Sequence, residues 1–265
     1  MKYISSICAA ATLVAAFSFS CSDDSTDSIS DEELRQRVIE YLEPQPKTSI
    51  RLEVDHVAGL APNQDVIDGL TARLGFLAKP ITVDLQASLS SSDDGGWSFA
   101  ELEALEAKSY NGPSQANEAV IHVMFVDGHY AQSATSNDVL GVAWANRNVV
   151  LFADTLKNTC TPDSSDDLKR RGLVEKACNA TVIGTWLHEL GHVIGLVNDG
   201  LDMVENHEDP DHPKHDADPS SIMYWQFDVA GIFDQVKGKV LADEDPVPSF
   251  SAACLADIEV VQSNP

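Results

Sequence analysis

Apolar positions change period several times along the chain, and each change marks a new element. Residues 32–42 read as a short helix that stops before Pro44. Residues 49–57 alternate as a strand does, and residues 63–78 return to helical spacing through Val66, Ile67, Leu70, Leu74 and Leu77. Residues 81–89 are again strand-like, and residues 99–109, rich in Glu and Ala, predict a helix. The apolar run 119–126 suits a central strand. Residues 139–154, V-L-G-V-A-W-A-N-R-N-V-V-L-F-A-D, predict two strands joined by a turn at Asn146, Arg147 and Asn148. Residues 180–197 carry Val182, Ile183, Trp186, Leu187, Leu190, Val193 and Ile194, enough to make a helix apolar all round and therefore central. Residues 251–261 predict a closing helix. Strands alternating with helices imply a mixed sheet with helices packed on it, and the length suits one substantial domain without internal repeats.

The central helix carries the chemistry. His188-Glu189-Leu190-Gly191-His192 reads H-E-x-x-H. Positions i and i+4 share a helix face, so both imidazoles can grip one ion while the Glu189 carboxylate reaches a water bound to it. Polar groups on a buried helix are costly without partners, and a metal is the simplest partner. Gly195, three positions after His192, can end the helix and turn the chain back. A catalytic zinc takes three protein ligands and leaves one position open. The extended spacing would put the third ligand at Asn198, a poor zinc donor, with Asp199 one position late. His207, His212 and His215 follow in an acidic stretch, and all three are candidates.

The run from His215 to Tyr224, H-D-A-D-P-S-S-I-M-Y, resembles the matrixin segment in which a D-P turn leads to a methionine eight positions after the third zinc histidine. Met223 holds that position here. The resemblance is to metzincin-type zinc metallopeptidases and spans residues 178–225, less than a fifth of the chain. The linker between Gly195 and His215 is much longer than in matrixins. Exported bacterial metalloproteases whose helix reads H-E-L-G-H before G-L-V-N are also similar. Where they carry two cysteines near the third histidine, this chain has Asp216 and Ser221.

The resemblance implies an α+β, metzincin-like fold: a twisted mixed β-sheet with packed helices, a zinc-binding active-site helix and a small C-terminal subdomain. It implies His188, His192 and His215 as ligands of one catalytic Zn2+, Met223 as an apolar floor beneath them, and Glu189 as general base in peptide-bond hydrolysis. It also implies an edge strand that pairs with an extended substrate, for which residues 139–154 are the candidate. An additional structural Ca2+ or Zn2+ could sit at His207, Asp209, His212 and neighbours. Acidic clusters at Asp163 to Asp167 and Asp243 to Asp245 could also bind calcium, though neither has the regular spacing of an EF-hand.

Residues 1–20 read as an export signal: Lys2, then an apolar and small-residue stretch too short to span a membrane. Cys21 follows directly, as the lipidated cysteine does in a bacterial lipoprotein. Ordinary secretion is the alternative. Residues 21–48 would form an acidic tether and short helix, and residues 49–265 the catalytic domain. Export implies an oxidising compartment, in which Cys160 and Cys178 could pair across a charged loop, with Cys254 left over. The formal charge of −25 argues against nucleic acid as a partner and against anionic membrane surfaces, leaving a lipid anchor as the only membrane link. The expected partner is a protein or peptide substrate, and the expected state a monomer on the outer membrane or cell surface. Two rival readings stand beside the endopeptidase. Asn198 favours an inactive binding protein on the same scaffold, whereas the retained Glu189 speaks against it. A zinc amidase acting on a non-protein bond is the other.

Overall fold

The structure is a computed structural model that describes residues 29–92, 94–132, 139–161 and 167–263. The expected export signal, Cys21 and most of the tether lie outside the described residues, as do Asp163 and Asp166 of the first acidic cluster. The elements run α1 (Asp31–Leu42), β1 (Ser49–Val57), α2 (Gln64–Thr71), β2 (Ile81–Leu89), β3 (Gly96–Trp97), α3 (Phe99–Ser109), β4 (Glu118–Val126), β5 (His129–Tyr130), β6 (Gly141–Trp144) and β7 (Asn148–Phe152). There follow α4 (Ala153–Thr159), α5 (Asp167–Arg171), α6 (Val174–Val193), β8 (Glu208–Asp209), β9 (His212–Asp216), a 3-10 turn (Trp225–Asp228), α7 (Ile232–Ala242) and α8 (Ala252–Ser263).

Five strands form one sheet in the order β2-β1-β4-β7-β6. All neighbours are parallel except β6, which is antiparallel to β7. Alternation along the strands gives the sheet two different faces. Ile50, Leu52 and Val54 of β1, Ile121, Val123 and Phe125 of β4, and Val149 and Leu151 of β7 face α6, and Phe125 meets Trp186 edge to face at 5.2 Å. Met124, Val126, Val150 and Phe152 face the other way, toward Leu102 of α3. That second face also buries Glu53, Asp55 and His122. Most of their polar atoms are paired: His122 Nε2 lies 2.8 Å from Asp55, and Glu53 accepts from the Asn111 backbone and side chain and pairs with Arg51, while His122 Nδ1 has no partner among the described residues. Buried charges need such partners.

Local signals explain the element ends. Ser30 and Ser98 both form capping boxes, with Glu33 and Glu101. The second helix is shorter than its periodicity predicts. It ends at Thr71, and the later apolar positions reach the core separately, Leu77 in a 3-10 turn over Gly75–Leu77 and Leu74 just before it. The β6–β7 turn lies one residue earlier than expected, with positive φ at Ala145 and Asn146, as a tight hairpin requires. β7 ends at Phe152, and Ala153–Thr159, read in part as strand, is helical. Helix α6 is buried on nearly every side, as its composition predicts, and it begins earlier, at Val174. No helix among the described residues is long and apolar enough to cross a membrane.

Cys160, at the end of α4, is joined to Cys178 of α6 by a disulfide, and Cys254 is free and buried. The bond closes a loop of 18 residues just ahead of the functional helix. Replacing both cysteines by serine is expected to lower unfolding free energy by roughly 3 kcal/mol. Urea denaturation under oxidising conditions checks this, and an unchanged midpoint would show that the bond contributes nothing.

Candidate metal centre

Helix α6 ends in a way that fixes both its histidines. Gly195 sits at φ +82°, and its N–H donates to the His192 carbonyl while the Leu196 N–H donates to that of Gly191. This pair of bonds is the Schellman arrangement. A side chain at Gly195 would press on Val38 and the Leu201 backbone, so glycine is required there on two counts. Asn146, in the β6–β7 turn, donates its side-chain amide to the carbonyls of His192, Val193 and Asp199. The edge hairpin is thereby tied to the end of the helix.

Beyond the helix, the long insert folds into the β8–β9 hairpin, which carries His215. The Asp216 N–H donates to the Met223 carbonyl, and Ser221 closes a turn onto Asp218, so the segment after His215 doubles back beneath α6. Met223 is fully buried against Gly191, where any Cβ would collide with its sulfur.

Three imidazoles meet in the space so enclosed. Ring centroids of His188, His192 and His215 lie 4.9, 5.1 and 5.3 Å apart in pairs. In two rings Nδ1 donates to a backbone carbonyl, that of Ile222 at 2.7 Å for His188 and that of Pro213 at 3.0 Å for His215, whereas His192 Nδ1 makes no hydrogen bond among the described residues and lies 3.3 Å from an Asp199 carboxylate oxygen. A neutral imidazole that donates through Nδ1 has only a lone pair at Nε2. The Nε2 atoms of His188 and His192 nevertheless face each other at 3.1 Å. That spacing suits two ligands of one cation, and acceptors behind metal-bound histidines are the usual arrangement. The donor set therefore fits a zinc ion.

Two carboxylates complete the centre. Asp228, at the end of the 3-10 turn, places one oxygen 2.8 Å from His188 Nε2 and the other 2.7 Å from His215 Nε2. The three histidines and Asp228 form one group of mutually close donor atoms. Glu189 is buried, and its Oε1 has no hydrogen-bond partner among the described residues. Burial first, and the Asp228 charge second, push the Glu189 carboxyl well above the usual carboxylate range. Burial would raise Asp228 too, but His188 and His215 outweigh it and hold that carboxyl well below its usual value. Burial lowers His192 against the opposing pull of Asp199, whereas the bond to Asp228 outweighs burial and raises His215.

Of the residues singled out in the sequence, His188, Glu189, His192, His215 and Met223 are brought together. Asn198 and Asp199 are not donors to the centre: Asn198 turns away toward Glu208, and Asp199 stands behind His192, paired with Lys214. The other histidines are used elsewhere. His212 pairs with Asp209 and stacks on Trp225 at 4.4 Å, while His207 bonds to Asp257 of α8 and approaches Asp216. The second metal set of His207, Asp209 and His212 is thus split in two, and His207 instead lies in a group of close donor atoms with Asp216 and Cys254. Asp243 and Asp245 pair with Lys176 and Arg73. Asp228 was missed by the sequence reading. It stands alone in a stretch of apolar and aromatic residues, and that isolation was its only signal.

No family model matches the chain, and no curated protein matches it. Among solved structures, an archaemetzincin from Methanopyrus kandleri is similar over 82% of this chain and 98% of its own, with 17% identity and a TM-score of 0.50. A zinc-dependent peptidase from Methanocorpusculum labreanum is similar over 79% of this chain and all of its own, with 15% identity and a TM-score of 0.46. At this identity the likeness to the archaemetzincin concerns the fold.

Two changes test the geometry. Asp199→Ala is expected to weaken zinc binding by about 10–100-fold, since it removes the acceptor behind His192; competition with a chelating dye measures this. A Cβ at position 141 would lie 2.6 Å from Glu189 Oε1. Gly141→Ala is therefore expected to leave zinc affinity within about twofold while displacing the Glu189 carboxylate, which supports no direct ligand bond in the arrangement described. Equal zinc affinity in Asp199→Ala and the unsubstituted chain would contradict the assignment of His192.

Proposed function

We propose that the chain is a zinc-dependent endopeptidase in which His188, His192 and His215 hold the metal and Glu189 is the general base. The observation that carries the reading is the convergence of three imidazole rings on one point beside a buried carboxylate with a free oxygen. Zinc, when bound, supplies a Lewis acid that polarises the scissile carbonyl and acidifies water toward a pKa of ~7.

The protein's own residues account for the remaining steps. Glu189 Oε1 accepts the proton of the attacking water and then passes it to the leaving amine. Burial and the Asp228 charge raise the Glu189 carboxyl; a divalent charge at the histidines would oppose that shift and favour the base form. Met223 and Gly191 keep the floor beneath the histidines apolar and closely packed. The sheet order places β6 at an edge, next to Glu189 through Gly141. An extended peptide that adds to this edge would be brought alongside the general base.

The same reading extends to the start of the chain: a signal at residues 1–20, lipidation at Cys21, and display of a monomeric catalytic domain outside the cytoplasm. The Cys160–Cys178 disulfide supports an oxidising compartment.

Hydrolysis of a denatured protein by the full chain is expected to require zinc, to stop with chelator, and to fall by about 10²–10⁴-fold in Glu189→Ala. Cleavage that persists undiminished in Glu189→Ala would sink the reading. Peptide-bond cleavage also separates it from an amidase acting on a non-protein substrate.

A further inference from the structure

Asp228 does more than neighbour the histidines. Its two carboxylate oxygens reach His188 and His215 at the Nε2 atoms that face the centre. The backbone of the same residue is also engaged. The Leu140 N–H donates to the Asp228 carbonyl at 2.9 Å, and Val139 and Val229 form an antiparallel bridge. Residues 139 and 140 lead directly into β6, the edge strand beside Glu189. One short segment thus fills the centre with its side chain and occupies the approach to the edge with its main chain. It is firmly anchored: Phe227 is buried against Gly184 of α6, and Gln226 bonds to Gln235 of α7.

Three histidines and one carboxylate make four protein donors. Four donors fill a tetrahedral zinc site, and a hydrolytic site needs one position free. We propose that Asp228 is a fourth protein ligand and that the Trp225–Asp228 turn is a built-in plug, holding the centre latent until it is displaced. The inference rests on the zinc reading of the same site. Displacement frees the coordination position for water and the end of β6 for a substrate strand together, because side chain and backbone belong to one residue. The basal rate then reflects the fraction of molecules in which the turn has swung out, and apparent affinity for a ligand of the open site is reduced by that fraction.

Cobalt(II) replaces zinc as an optical probe in the full chain, with acetohydroxamate as the ligand for an open position. A closed centre predicts a visible spectrum that is constant from about pH 6 to about pH 9, since no bound water titrates near ~7. Asp228→Asn is expected to show a pH-dependent spectrum and to bind acetohydroxamate at least ~10-fold more tightly. Phe227→Ala, which removes the anchor and leaves the carboxylate in place, is expected to move in the same direction. An unsubstituted chain that already shows the alkaline transition, and binds acetohydroxamate as well as Asp228→Asn, overturns the plug while leaving the zinc reading intact. A chain that takes up neither cobalt nor zinc overturns both. The spectrum of the unsubstituted chain decides the matter even where a variant fails to fold.

Discussion

Three imidazole rings crowded onto one point are a costly arrangement by themselves, and much of the molecule serves to hold them there. The rings of His188 and His215 could relieve the crowding by turning over, but turning would strip Nδ1 from a fixed acceptor, and His192 has a carboxylate behind it. The two acceptors are backbone carbonyls, of Ile222 and Pro213, which are positioned by the turn that carries Met223 and by the strand that carries His215. The carboxylate is that of Asp199, itself paired with Lys214. Abandoning a buried hydrogen bond costs about 1–3 kcal/mol. The convergence is therefore maintained by the segments around it, and a bound cation gives the rings a common partner.

Those segments have to cover a helix with no polar face. The sheet covers one side of α6 through Phe125, Val149 and Leu151, and the returning chain covers the other through Ile222, Met223 and Phe227. Close approach is possible only where side chains are missing. Gly191 admits the Met223 sulfur, and Gly141 admits the Glu189 carboxylate. Burial of α6 and construction of the centre are thus one packing problem: the residues that bury the helix also deliver the acceptors that orient its histidines.

What could be read in advance follows the range of the interactions. β1, β2 and α3 have the ends predicted from periodicity and composition, because their signals are local. The helical pair of His188 and His192 was equally visible, being set by a spacing of four. His215 was reachable only through its fixed distance from Met223, a relation between neighbours in the chain. Asp228 and Asn146 were not legible. Asp228 meets His188 from forty residues away across a turn with no repeating pattern, and Asn146 caps a helix that begins only after a strand and two shorter helices. The buried pair of Asp55 and His122 escaped for the same reason, since only the parallel register of β1 with β4 brings them together.

Charge balance explains how one small turn can hold the centre in either of two states. Without a cation, two carboxylates share a buried space, and the conflict is resolved unequally: Glu189 is pushed toward its neutral form while Asp228 keeps its charge through the histidines. A divalent ion among neutral imidazoles, with both carboxylates ionised, sums to zero. That is the cheapest arrangement for a buried cluster, because desolvation penalises net charge most heavily. Withdrawing Asp228 leaves an excess positive charge, which favours any incoming anionic or polarisable oxygen, including a carbonyl acquiring negative charge. The exchange of Asp228 for substrate therefore swaps one negative partner for another, and the fold needs to move only the four-residue turn between Tyr224 and Val229 to accomplish it.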